Sequence, residues 1–148
     1  MTYKSEIMMA LSLIITVASS LLVAFFFIFP PPPPISTTGN DDSVTPTVVK
    51  AGETISVTRS LRSISEAPVG VVRTMVKGDC AKSCEVIDLF HGSFSLKVGE
   101  HMRVKRDHVI PLRAEPGEWR LVFWITWQDR LGRTLKTKLP ELTIEVTE

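Results

Sequence analysis

Cys80-Ala81-Lys82-Ser83-Cys84 is the stretch with the most defined chemistry. Two cysteines with three residues between them close a short loop as a disulfide in an oxidising compartment, provided their Cα atoms come within about 7 Å. The sharper alternative is a metal. Cys80, Cys84, His91 and His101 supply two thiolates and two imidazoles, a set that zinc accepts in tetrahedral geometry. Their spacing does not follow the usual finger, and the two histidines would have to converge from separate strands. A thioredoxin-like redox pair uses two intervening residues rather than three. The expectation is a structural Cys80–Cys84 disulfide, with no metal and no cofactor.

Other catalytic arrangements fare less well. His91-Gly92-Ser93 sets an imidazole near a hydroxyl, but a tight turn between two strands accounts for the same residues. No G-x-S-x-G elbow exists, and no strand–glycine loop–helix unit offers a phosphate cradle. Asp79, Asp88, Asp107 and Asp129 are not paired at a recognisable spacing. No catalytic residue is assigned and the chain is expected not to be an enzyme. A thiol- or metal-dependent enzyme using Cys80, Cys84 and His91 is the rival.

Two features point to binding instead. Arg103-Val104-Lys105-Arg106-Asp107-His108 is basic, and alternation puts Arg103 and Lys105 on one face and Val104 and Arg106 on the other. It reads as a charged strand edge or as a contact for an anionic surface. From Val48 to Glu148 there are 16 Lys and Arg against 13 Asp and Glu, a net charge of +3, too mild for a nucleic-acid partner. In Trp119–Trp127, residues Trp119, Leu121, Phe123, Ile125 and Trp127 share one face, and Arg120, Val122, Trp124 and Thr126 the other. Trp124 is thus expected on the outer face beside Arg120, either as an interface anchor or buried by a second packed layer.

These residues need strands to position them. Period-2 patterning predicts strands over Ile55–Leu61, where Arg59 breaks the apolar face, and over Val69–Lys77, Glu85–His91, Ser93–Val98, Met102–Pro111 and Leu139–Thr147. Turn signals separate them, among them Gly52, Gly78, Gly99, Pro116-Gly117 and Asp129–Gly132. About seven short strands with no soluble helix predict an all-β antiparallel sandwich over 48–148, with a small barrel as runner-up.

The segment EPGEWRLVFWITWQDRLGRTLKTKLPELTIEV, Glu115–Val146, resembles the closing hairpin of immunoglobulin-like domains in bacterial and phage surface proteins. In those a Pro-Gly-x-aromatic turn opens the penultimate strand, and a D-x-x-G turn, here Asp129-Arg130-Leu131-Gly132, leads to the last one. The match covers about a fifth of the chain, and the antibody-type Cys…Trp…Cys arrangement is absent. The resemblance implies an Ig-like sandwich used for binding or spacing; fold alone does not assign function.

What precedes the sandwich concerns placement. Ile7 to Phe29 contains 23 residues and no charge. As a helix it measures roughly 34 Å, enough to cross a hydrocarbon core of about 30 Å. A cleaved signal peptide is the competing reading, but Leu21–Phe29 continues apolar past the weak Ala18-Ser19-Ser20 candidate. Lys4 before the helix and Asp41 and Asp42 after it place 1–6 as a cytoplasmic tail, with the rest periplasmic or extracellular. Ser12, Thr16, Ser20 and Ala24 recur every fourth residue, a row suited to helix packing and self-association. Pro30–Pro34 stops the helix, and Pro30 to Thr47 reads as a stiff-then-flexible linker.

The expected protein is a single-pass, non-enzymatic binding or assembly module outside a bacterial inner membrane, contacting the bilayer and another envelope or membrane protein. A structural subunit of a larger membrane-embedded assembly is the alternative. The compact plan also resembles small membrane-anchored proteins of bacteriophages.

Overall fold

The computed structural model describes residues 3–29, 31–37 and 39–148, in two compact units divided between Pro32 and Pro33. The first unit is helix α1, Tyr3–Ile28. It buries none of its residues and is long and apolar enough to cross a membrane. The helix starts at Tyr3 rather than at Ile7, so the expected tail supplies its first turn. Along the small-residue row, Thr16 Oγ1 donates to Ser12 O (2.9 Å) and Ser20 Oγ to Thr16 O (2.8 Å). These two hydroxyls spend their protons within their own helix.

The second unit is built of strands: β1 (Ile35–Ser36), β2 (Ser43–Thr45), β3 (Val48–Lys50), β4 (Thr54–Ser63), β5 (Val69–Asp79), β6 (Ser83–Phe94), β7 (His101–Val109), β8 (Gly117–Gln128), β9 (Thr134–Lys138) and β10 (Leu142–Thr147). They form two sheets. In the smaller, β4 pairs antiparallel with β7 along one edge and with β2 and then β1 along the other. The larger runs β3-β10-β8-β5-β6, with β9 also on β8, and is antiparallel except for the β3–β10 pair.

One hydrophobic cluster joins the sheets. Trp119, Leu121, Phe123, Ile125 and Trp127 are all buried, as their common parity requires, and Ile55, Val57 and Leu61 from β4 and Val69, Val71 and Met75 from β5 belong to the same cluster. The period-2 reading of β8 therefore holds for the inward stripe, while Val122, of the opposite parity, is buried as well.

Four expectations need correction. The linker is shorter than 30–47, because Pro34, Ile35 and Val44 are buried, and Pro34 O accepts from Ile64 N (2.7 Å). Strands of two and three residues are too short to show a period, so composition alone read this stretch as a leash. His91-Gly92-Ser93 is not a turn: β6 runs through it, and the Ser93–Val98 strand is absent beyond Phe94. The Leu139–Thr147 strand is interrupted at Leu139–Glu141, where Pro140 removes a backbone donor. Finally, among the described residues β1 and β2 add two strands ahead of 48–148, which itself holds eight, β3–β10, where about seven were expected.

Candidate functional site

Each arginine on an inward-facing strand position needs a reason, because a buried guanidinium is costly unless paired. Arg59 shares the inward parity of Val57 and Leu61 on β4, and Arg73 that of Val71 and Met75 on β5. Both reach the Phe123 ring, Arg59 at 4.0 Å from its centroid and Arg73 at 5.7 Å. Around them the two sheets leave a cavity of about 130 Å³, walled by Leu61, Val71, Met102 and Ile125 and joined by Arg106 from β7.

The two core arginines differ in their partners. Arg59 pairs with Asp42, donates from Nη2 to Pro140 O (2.8 Å), and has a side chain only 6% exposed. Burial pulls its pKa down and Asp42 pushes it back up. Arg73 has no carboxylate partner among the described residues. Its Nη1 donates to His108 Nε2 at 3.4 Å, its Nε is buried without an acceptor, and its guanidinium lies 4.8 Å from the Phe90 ring centroid. Burial lowers its pKa, as do the charges of Arg106 and Arg59.

Gly92 explains how Phe90 comes to cover Arg73. A Cβ on Gly92 would lie 2.5 Å from two atoms of the Phe90 ring, so only glycine lets the ring lie along the strand there. The residues read from sequence as a turn are a seat for an aromatic lid over a guanidinium. The signal that could have found this site was the pair of arginines at inward parity.

His108, buried on β7 beside Arg73, is held below its ordinary pKa by burial, then by the Arg73 charge, with Arg106 adding to this and Asp107 opposing it. The sign follows. The unfolded chain takes up a proton near pH 6.5 and the folded one only lower, so stability is complete above about 6.5 and declines as pH falls below it. Urea midpoints of the full chain should drop between pH 7.5 and 5.5, with a slope of at most about 1.4 kcal/mol per pH unit from this one group. His108→Gln should flatten that decline.

The residues proposed from sequence as one contact surface are dispersed. Arg103 and Lys105 lie exposed on the outer side of the smaller sheet, near Thr45, Ser56 and Thr58. Arg106 joins the interior cleft instead. Arg120 and Trp124 share the outer side of the larger sheet. Arg120 is committed there, donating to Gly78 O (2.8 Å) and pairing with Glu141 (3.4 Å), which also meets Lys138 at 2.8 Å. Hydrogen bonding from Lys138 lowers the Glu141 pKa despite partial desolvation, with the Lys138 and Arg120 charges helping. Trp124 is half-buried, and Lys136 Nζ sits 5.0 Å from its ring centroid.

Cys80 and Cys84 form a disulfide across the β5–β6 turn, Cα to Cα 4.6 Å, which leaves no thiol for a metal or a nucleophile. His91 is exposed and sits 3.8 Å from Asp88. No group of three or more His, Cys, Asp or Glu able to hold a metal exists among the described residues.

No family model matches the chain, and no curated protein matches its sequence. Among solved structures it is similar to the C-terminal domain of Wzt, at TM-score 0.53 and 11% identity, over 78% of this chain and 75% of that one. It is also similar to the alkylpurine DNA glycosylase AlkC of Pseudomonas fluorescens bound to abasic-site DNA, at TM-score 0.52 and 20% identity, over 78% of this chain. The match spans 31% of the glycosylase's length. At such identities the likeness concerns the fold alone.

Proposed function

We propose that the chain is a membrane-tethered, non-enzymatic binding module, with α1 as an uncleaved single-pass anchor and an Ig-like β-sandwich on the periplasmic or extracellular side. One observation carries the reading: a 26-residue, largely apolar helix that buries none of its residues is followed by a separately compact β unit. A helix of this kind suits lipid on every side. The Cys80–Cys84 disulfide supports an oxidising compartment for the β unit. Lys4 ahead of the span and Asp41 and Asp42 beyond it favour an inside N-terminus. Two sheets of short, mostly antiparallel strands sharing one core support the Ig-like assignment.

The contact face is the outer side of the larger sheet, where Trp124 stands between Arg120 and Lys136. A half-exposed tryptophan with cations beside it is the composition that protein interfaces favour. The partner is another envelope or membrane protein.

The test uses the full chain in bacterial spheroplasts. Protease added outside should remove the β unit and leave a small fragment that alkaline carbonate does not extract. A photo-crosslinker at position 124 should capture one discrete species, and the same probe at Arg103 should capture far less. Complete protection of the β unit, or release of the whole chain by carbonate, would refute the topology.

A further inference from the structure

The interior cleft has a charge imbalance that the contact-face reading leaves unused. Two guanidiniums, Arg59 and Arg73, share the Phe123 ring, the exposed Arg106 lines the same cleft from β7, and only Arg59 has a carboxylate. Arg73 and Arg106 make no ion pair among the described residues, and the buried Nε of Arg73 has no acceptor. The other nearby carboxylate, Asp107, accepts from Ser56 Oγ (2.6 Å). Arg73 thus holds one uncompensated positive charge against an apolar wall, with the exposed Arg106 at the rim of the same cleft adding repulsion, an arrangement that weakens the empty fold.

We infer that this cleft binds a small apolar monocarboxylate, an aryl or short acyl acid, with its carboxylate on Arg73 and Arg106 and its apolar group against Leu61, Met102 and Ile125. This site stands apart from the Trp124 face and holds whether or not the membrane topology above is right. Three physical arguments set the ligand class. Planar guanidiniums match a carboxylate with two parallel hydrogen bonds, stronger than neutral ones and oriented. The space sets the size: an apolar cavity of about 150 Å³ takes a benzene, and this one offers about 130 Å³. A ring or a chain of similar bulk fits, whereas a nucleotide or an oligosaccharide does not. Lastly, the wall is aliphatic and aromatic, so a free inorganic anion would leave most of the cavity unfilled.

The same geometry predicts how a variant behaves. A residue kept for folding loses stability when removed, whereas one kept for a ligand leaves a more comfortable empty cleft. Arg73→Met replaces an unpaired charge by a shorter, flexible apolar chain, and should raise the melting temperature of the ligand-free protein.

The experiment is ligand-observed NMR on the full chain in nanodiscs, together with thermal melts. The probes are 4-phenylbutanoate and hexanoate, their neutral amides, and inorganic phosphate. Both carboxylates should bind and raise the melting temperature, and each amide should bind weaker by about tenfold or more. Arg73→Met should reduce carboxylate binding by at least about tenfold while melting no lower than the parent. Arg106→Gln, at an exposed position that the fold tolerates, should weaken binding severalfold and guards against a folding failure at Arg73. Lys136→Gln on the outer face should change nothing. Equal binding of acid and amide, protection by phosphate alone, no binding by either acid, or an Arg73→Met protein that melts lower yet binds normally would each overturn the assignment. Loss of crosslinking at position 124 with carboxylate binding intact would refute the contact face and leave this site standing.

Discussion

Replacing Asp42 by alanine is expected to destabilise the β unit by about 3–5 kcal/mol, the cost of leaving a buried cation without its partner. The Asp42 side chain is 1% exposed and pairs with the Arg59 guanidinium. Its Oδ1 also accepts from Ser60 N (3.1 Å), and both its oxygens lie 3.3 Å from Thr37 Oγ1. Asp42 thereby ties the stretch between β1 and β2 to the core side of β4. Without the carboxylate, Arg59 retains Pro140 O and the Phe123 ring. Neither carries a full charge, so the guanidinium is left only partly compensated in a largely apolar setting. At about 4–8 °C per kcal/mol for a domain near this size, the melting temperature should fall by more than about 10 °C. The double variant Asp42→Ala/Arg59→Met should recover most of that loss, because well-packed apolar residues replace a buried pair at little cost. An Asp42→Ala protein melting within about 2 °C of the parent would mean that the pair is solvated in solution.

That pair also marks the limit of what the sequence discloses. The unbroken apolar run of α1 and the alternating stripe of β8 are both patterns long enough to read directly, and so are most of the longer strands around β8. Arg59 was visible as a charge on an apolar face, which states a need for a partner without saying where in the chain the partner lies. Asp42 is supplied from a segment whose strands are two and three residues long, below the length at which alternation can be recognised. Its polar composition reads as a tether because burial of a polar residue through pairing leaves no compositional trace. The interior cleft was hidden for a related reason. Arg73 and Arg106 belong to different sheets, and only the packing of β5 against β7 brings them to one space. The Arg103–Arg106 run, contiguous in sequence, is divided by strand alternation between the outer surface and that cleft. Gly92 was misread because glycine in a strand serves two ends, a turn or a close approach, and the ring that approaches it is two residues away.

Trp119→Ala should be the next most damaging substitution, at about 3–5 kcal/mol, while Trp124→Ala, five positions on in the same strand, should cost under about 1 kcal/mol. Trp119 is fully buried in the shared core, and its Nε1 donates to Glu115 O (2.8 Å), so truncation opens a large cavity and orphans a carbonyl. Across the ladder it faces Ile144 of β10, which joins it in the core cluster and cannot follow an alanine inward without breaking the pairing. Trp119→Phe should lose less, since much of the volume remains and the missing hydrogen bond accounts for roughly 1–2 kcal/mol. Trp124 has the opposite parity, and its contact with the Lys136 cation contributes about 0.5–1 kcal/mol at an exposed site. The decisive comparison is between stability and capture. Trp124→Ala should leave the urea midpoint nearly unchanged and reduce recovery of a partner crosslinked from a neighbouring outer-face position such as Lys138. If Trp124→Ala instead destabilises as much as Trp119→Ala, a further layer packs on the larger sheet. The outer face would then be part of the fold and unavailable to a partner.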